Sequence, residues 1–166
     1  MIIYILRHAE SYPKTRSVTD EERRITPRGR TWVKRTVRIA HRELGFEPTV
    51  IVSSPLVRAK ETADVARRTL RLNSEVIVEE CLRAESRVAE VYKRLRKLRK
   101  SDAVVLVSHQ PLMRNLMADL LGAKSNIWMY QGAISCVQCK SYPKHNSGGL
   151  AWLLPPSIWY HDGKWE

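Results

Sequence analysis

The sequence predicts an α/β fold: a three-layer α/β/α sandwich built on a mostly parallel central sheet of about six strands. Three observations predict it. Short apolar runs alternate with stretches of three- and four-residue apolar spacing through the first two thirds of the chain. The most continuous run, AVVLVS at 103–108, is apolar on both faces, as a sheet-centre strand covered on both sides must be. The last third instead carries two strand-like runs, AISCVQC and GLAWLLP, separated by the loop SYPKHNSGG, which fits two neighbouring strands added on one side of a mixed sheet. With 166 residues, no internal repeat and no linker, one domain over 1–166 is expected.

Taken in order, residues 2–6 form the first strand, and Glu10 to Glu22 is a polar loop without periodicity. Thr26 reads as an N-cap with Pro27 at the first helical position. Trp32, Val33, Val37, Ala40 and Leu44 then form the apolar stripe of a helix ending near Gly45. Gly29 weakens that helix, so it reads as a place of close packing. TVIVS at 49–53 is the second strand, and Ser54-Pro55 repeats the cap-and-proline signal before a helix with Leu56, Ala59, Ala63, Ala66 and Leu70 inward. EVIV at 75–78 is the third strand. The segment from Glu80 to Ser86 leads to a helix with Val88, Val91, Tyr92, Leu95 and Leu98 inward. After 103–108, His109-Gln110-Pro111 opens a fourth helix carrying Leu112, Leu116, Leu120 and Leu121 and stopped by Gly122. An aromatic tail follows Pro155-Pro156.

Composition narrows the function without choosing it. The net charge is +12, from 29 Lys plus Arg against 17 Asp plus Glu. Such a field attracts polyanions or phosphorylated substrates, although basic residues spread over helices (Arg35, Arg38, Arg42; Arg67, Arg68, Arg71; Arg94, Lys97, Lys100) equally describe a solvated surface. Three cysteines, Cys81, Cys136 and Cys139, cannot all pair within the chain, and strand alternation puts Cys136 and Cys139 on opposite faces, against a redox or zinc pair. No apolar stretch reaches membrane-span length, and MIIYILRH lacks the basic start and cleavage site of a leader. A cytoplasmic protein with no membrane partner is expected.

The candidate chemistry sits at strand ends. Arg7-His8 follows the first strand, Ser53-Ser54 and Arg58 follow the second, and Ser108-His109 follows the central run. In open α/β sheets ligands bind beyond the carboxyl ends of the strands, so these residues share one rim if their strands are parallel. Guanidinium forks and helix N-termini suit a phosphate there. A neutral imidazole is also a nucleophile toward phosphorus, provided its other ring nitrogen is protonated and held by an acceptor such as a backbone carbonyl. On this reading His8 attacks, and Arg7, Arg58 and His109 neutralise the transferring phosphoryl group. No metal or cofactor is expected; the sequence has no HExxH pair and no Asp-rich cluster. The plainer readings are a surface pair for Arg7-His8 and a satisfied histidine below a helix start for His109. His41, His145 and His161 read as structural or exposed, and Ser54 as a helix cap, since no nucleophile elbow surrounds it.

The stretches LRHAES at 6–11, DEERRITPRG at 20–29, VSSPLVRAKETA at 52–63, VLVSHQPLM at 105–113 and WLLPPS at 152–157 together resemble the histidine phosphatase superfamily, and within it the small SixA-type phosphohistidine phosphatases. The resemblance implies a phosphoglycerate mutase-like fold. It implies His8 as the phosphorylated nucleophile, Arg7 and Arg58 as the clamp, and His109 as a hydrogen-bond donor in the transition state. Many relatives also use an acidic residue after the third strand to protonate the leaving group. Here Glu79, Glu80 and Glu85 lie in that neighbourhood, with Glu80 and Glu85 as the candidates, and no single one matches. Asp20 is an acidic neighbour that holds Arg7 or its loop. Ser108 either binds near the phosphate or caps the following helix, and Gln110 either lines the pocket or caps it too. Ala9 stands where many relatives have Gly.

The expected activity is therefore a phosphatase acting through a phosphohistidine intermediate, on phosphohistidine in a phosphorylated protein, with inorganic phosphate as product. A small phosphate ester is the alternative substrate. An imidazole leaving group is readily protonated near neutral pH, so a missing acid favours phosphohistidine over an alkyl ester. Two other classes stand against this: nucleic-acid binding, which has the charge but no recognition motif, and a catalytically dead scaffold for phosphorylated partners.

Overall fold

The computed structural model describes residues 1–98, 102–124, 127–140 and 142–156. The expectations for Lys100, His161, Ser157 and the aromatic tail lie outside the described residues. The chain runs β1 (Ile2–Arg7), α1 (Pro27–Leu44), β2 (Val50–Ser53), α2 (Val57–Leu70), β3 (Ile77–Val78), a 3₁₀ turn (Glu80–Leu82), α3 (Val88–Lys97), β4 (Ala103–Ser108), α4 (Leu112–Leu121), β5 (Ile134–Cys139) and β6 (Gly148–Leu154). The six strands form one sheet in the order β3-β2-β4-β1-β5-β6. The first four are mutually parallel, β5 pairs antiparallel with β1, and β6 antiparallel with β5, which makes the mixed α/β sheet the sequence predicts.

Strand alternation sorts the core into two layers. Tyr4, Leu6, Ile51, Val105 and Val107 face Val33, Val37 and Ala40 of α1 and Ala59, Ala63 and Ala66 of α2. Ile3, Ile5, Val50, Val52, Val104 and Leu106 face Val91 and Leu95 of α3 and Leu112, Leu116 and Leu120 of α4. All six residues of β4 are buried, because β4 lies inside the sheet with helices over both faces. Cys136 and Cys139 fall in opposite layers, which separates the two thiols.

Helix α1 begins and ends on local signals. The Thr26 hydroxyl accepts from Gly29 N, Pro27 occupies the first turn, and Gly45 closes the helix at φ 66°. Gly29 packs so closely that a Cβ there would strike the Glu10 carbonyl. The stripe needs one correction: Leu44 is exposed, and Phe46, past the helix end, fills the core beside Tyr4. Thr36 is buried instead, its hydroxyl returned to the Trp32 carbonyl of its own helix.

Candidate active site

The sheet register assembles the rim. Arg7 pairs with Ser108 across β1 and β4, and His8 N donates to the Ser108 carbonyl at 2.9 Å, so His8 and His109 emerge side by side. Their ring centroids are 5.0 Å apart. Ser53 pairs with Val107 and Ser54 N donates to the Val107 carbonyl, which brings β2's end and the first turn of α2, with Arg58, to the same edge. His8, Arg58 and His109 are 5%, 5% and 2% exposed.

His8 Nδ1–H donates to the Ala9 carbonyl at 2.7 Å, leaving Nε2 with the lone pair. Ala9 is itself pinned: its N–H donates to Thr62 Oγ1 at 3.0 Å, and the Thr62 hydroxyl donates to the Arg58 carbonyl. One buried threonine thus couples the His8 loop to the helix that carries Arg58. Burial, then the charges of Arg58, Arg7 and Arg23, push the His8 imidazole down from 6.5 to about 3, against the opposing pull of the Ala9 hydrogen bond. His109 is likewise pushed down to about 3 by burial and by the neighbouring His8, Arg58 and Arg7, with Asp20 opposing. Both rings are neutral at pH 7.

The arginines are held from outside. Arg7 Nη1 donates to the Met129 carbonyl at 2.7 Å. Arg58 gives one Nη to the Asp20 backbone carbonyl and the other to the Asp20 carboxylate at 2.9 Å. Arg23 Nη1 donates to the same carboxylate at 2.8 Å. Asp20 therefore holds Arg58 and not Arg7. Partial burial opposes its ionisation, but the hydrogen bonds from Arg23 and Arg58 outweigh that and keep the carboxyl below its usual range. Among the described residues, Arg7 Nε, Arg58 Nε and His109 Nδ1 are buried without a hydrogen-bond partner. Two unsatisfied guanidinium donors and a ring nitrogen at one rim are what an oxyanion would satisfy.

Other candidates fall elsewhere. Ser54 is not a helix cap: α2 is capped by Leu56 without a side-chain bond, and Ser54 Oγ instead lies 2.8 Å from His109 Nε2. Ser108 does not cap α4, whose N-cap is Pro111; its hydroxyl donates to the Leu82 carbonyl and ties β4 to the 3₁₀ turn. Gln110 Oε1 accepts from Arg114 N, within the first turns of α4. Glu80 is exposed and held by Arg83 at 2.6 Å, Glu79 pairs with Arg94, and Glu85 is exposed. His41 donates to the Phe46 carbonyl and His145 lies 3.0 Å from Asp119, both away from the rim. Sequence reasoning missed Thr62, and it missed Arg23, for which the three-residue spacing from Asp20 was the available signal.

The model of the histidine phosphatase superfamily (branch 1) matches residues 3–84. Among solved structures, the protein histidine phosphatase SixA complexed with tungstate is 23% identical, with a TM-score of 0.85 over 95% of this chain and 99% of that one. A candidate phosphohistidine phosphatase SixA from Agrobacterium tumefaciens is 17% identical, with a TM-score of 0.77 over 93% and 98%. The α-ribazole phosphatase from Shigella flexneri is 16% identical, with a TM-score of 0.73 over 94% and 97%. Likeness at these identities speaks for the fold. No curated protein matches the chain.

Proposed function

The chain belongs to the histidine phosphatase superfamily, and from that premise we propose that it is a phosphatase working through a covalent phosphohistidine on His8. The carrying observation is the His8 ring, buried, kept neutral, and fixed by its Nδ1–H on Ala9 so that Nε2 is the free nucleophile. Nε2 attacks phosphorus in line, the leaving group departs, and water then releases inorganic phosphate and restores the ring. Arg7 and Arg58, already oriented by Met129 and Asp20, balance the charge on the equatorial oxygens, and His109 donates to them. The arginines supply the positive charge this step needs, so turnover is expected to survive chelators.

Phosphohistidine in a protein is the favoured substrate. Asp20 is held ionised by two arginines and cannot donate a proton, while Glu80 is committed to Arg83. That suits an imidazole leaving group, which is readily protonated near neutral pH, better than an alkoxide. A small phosphate ester is the second reading, supported by the likeness to the α-ribazole phosphatase. Rapid quenching under alkaline conditions with ³²P-labelled phosphoramidate tests the mechanism: label on the parent and none on His8→Ala is expected. Equal labelling and turnover by His8→Ala would sink it. Rates on a phosphohistidine protein against a panel of phosphate esters rank the substrates, and a higher kcat/KM on an ester reverses the order.

A further inference from the structure

Three large aromatic side chains stand exposed on segments fastened to the nucleophile. Trp128 is 73% exposed and Tyr130 is 55% exposed. They flank Met129, whose carbonyl holds Arg7, and Gly132 N in the same segment donates to the Arg7 and His8 carbonyls. Tyr12, 51% exposed, lies four residues after His8, and its carbonyl accepts from Arg23, the arginine whose charge bears on the His8 ring. Tyr12 and Arg23 also line a groove of about 470 Å³ with Pro13 and Val18. Exposed Trp and Tyr offer large contact area at small entropy cost, and such side chains dominate protein docking surfaces.

Resting on the phosphohistidine reading, we infer that this aromatic rim docks the protein that carries the phosphohistidine, through an acidic face of that partner. The reacting residues are recessed, with His8 only 5% exposed. A phosphoryl group reaches them on a slender stalk. Phosphohistidine is such a stalk: its flat imidazole places phosphorus away from the main chain, so the carrier's own surface comes to rest at the rim. A nucleic-acid phosphodiester lies within its own backbone and has no such reach. Charge complementarity selects the face, since Lys14 and Arg16 are exposed beside Tyr12 and the chain carries a net charge of +12.

The test compares two substrates, a histidine-phosphorylated phosphotransfer domain with an acidic face and phosphoramidate, which is too small to touch the rim. For Trp128→Ala, Tyr130→Ala and Tyr12→Ala, a loss of about 10- to 30-fold in kcat/KM on the protein, carried by KM, is expected at the strongest position. Phosphoramidate turnover should stay within twofold of the parent. Equal losses on both substrates, or none on either, overturn the docking role. So does a parent that turns over phosphoramidate through His8 but no phosphohistidine protein, which leaves the phosphatase reading standing. Absence of His8-dependent phosphoramidate turnover removes both. Competition by single-stranded RNA at 0.15 M salt that disappears in Trp128→Ala would assign the rim to nucleic acid and overturn the inference.

Discussion

Lowering the pH from 7 to 5 probes the protonation state on which the proposed role of His8 depends. His8 and His109 are buried, and both are pushed from 6.5 to about 3 in the folded chain. Below pH 6.5 the unfolded state binds protons that the native state refuses, so the stability is fully present above 6.5 and drains as pH falls toward 3. Between pH 7 and pH 5 each such histidine removes about 2 kcal/mol. The perturbation is His8→Gln, which keeps a polar side chain of similar length but cannot titrate. Urea unfolding of parent and variant at pH 7, 6 and 5 is the assay, in buffers free of phosphate because an anion bound to the native state would mask the effect. The parent should lose about 2 kcal/mol more than His8→Gln over that range, equivalent to roughly 4–8 °C in Tm for a chain of this size. Adding His109→Gln should flatten the profile further. Parallel profiles for parent and His8→Gln would refute the reasoning, for they would mean an ordinary His8. An ordinary histidine is only about 3% neutral at pH 5, whereas the buried ring described here stays neutral there.

Three further outcomes follow from single contacts. Thr62→Val leaves the Ala9 N–H buried without its acceptor, and should cost about 1–3 kcal/mol in thermal unfolding while slowing single-turnover phosphorylation of His8; unchanged phosphorylation would deny Thr62 a positioning role. Gly29→Ala drives a methyl into the Glu10 carbonyl and should cost about 1–3 kcal/mol in urea unfolding; a neutral result would show that the loop yields freely. Ser54→Ala removes the partner of His109 Nε2 and should lower kcat about tenfold with KM nearly unchanged. Ser54→Thr, which keeps the hydroxyl, should restore most of it, and a Thr variant as slow as Ala would point to packing instead.

What could be read early was whatever is encoded by near neighbours. The Thr26-Pro27 start, the Gly45 stop and the two-sided burial of β4 need only a few adjacent residues and one period. Three of the four misreadings involve a partner distant in sequence. Ser54-Pro55 has the pattern of a cap, but His109, 55 residues on, takes the hydroxyl. Ser108 has the same pattern before α4, and the Leu82 carbonyl takes it. Leu44 keeps the stripe's spacing, yet the chain turns at Gly45 and presents Phe46 to the core in its place. Asp20 reads from the sequence as an acidic neighbour of the rim, but which arginine it serves depends on a contact 38 residues away.

The order of apolar runs and turn residues by itself determined the α/β class, the six strands and the strand-end placement of Arg7-His8, Arg58 and His109, since periodicity and capping are local properties. Only the tertiary structure decided how those groups are used. Parallel pairing of β1, β2 and β4 put them on one edge. Burial and converging cations then made the histidines neutral, Ala9 and Thr62 fixed the His8 ring and its loop, and the Asp20 carboxylate went to Arg58 and Arg23. Each of these is an electrostatic or hydrogen-bonding term between residues far apart in the chain, and its sign depends on distances that no sequence spacing contains.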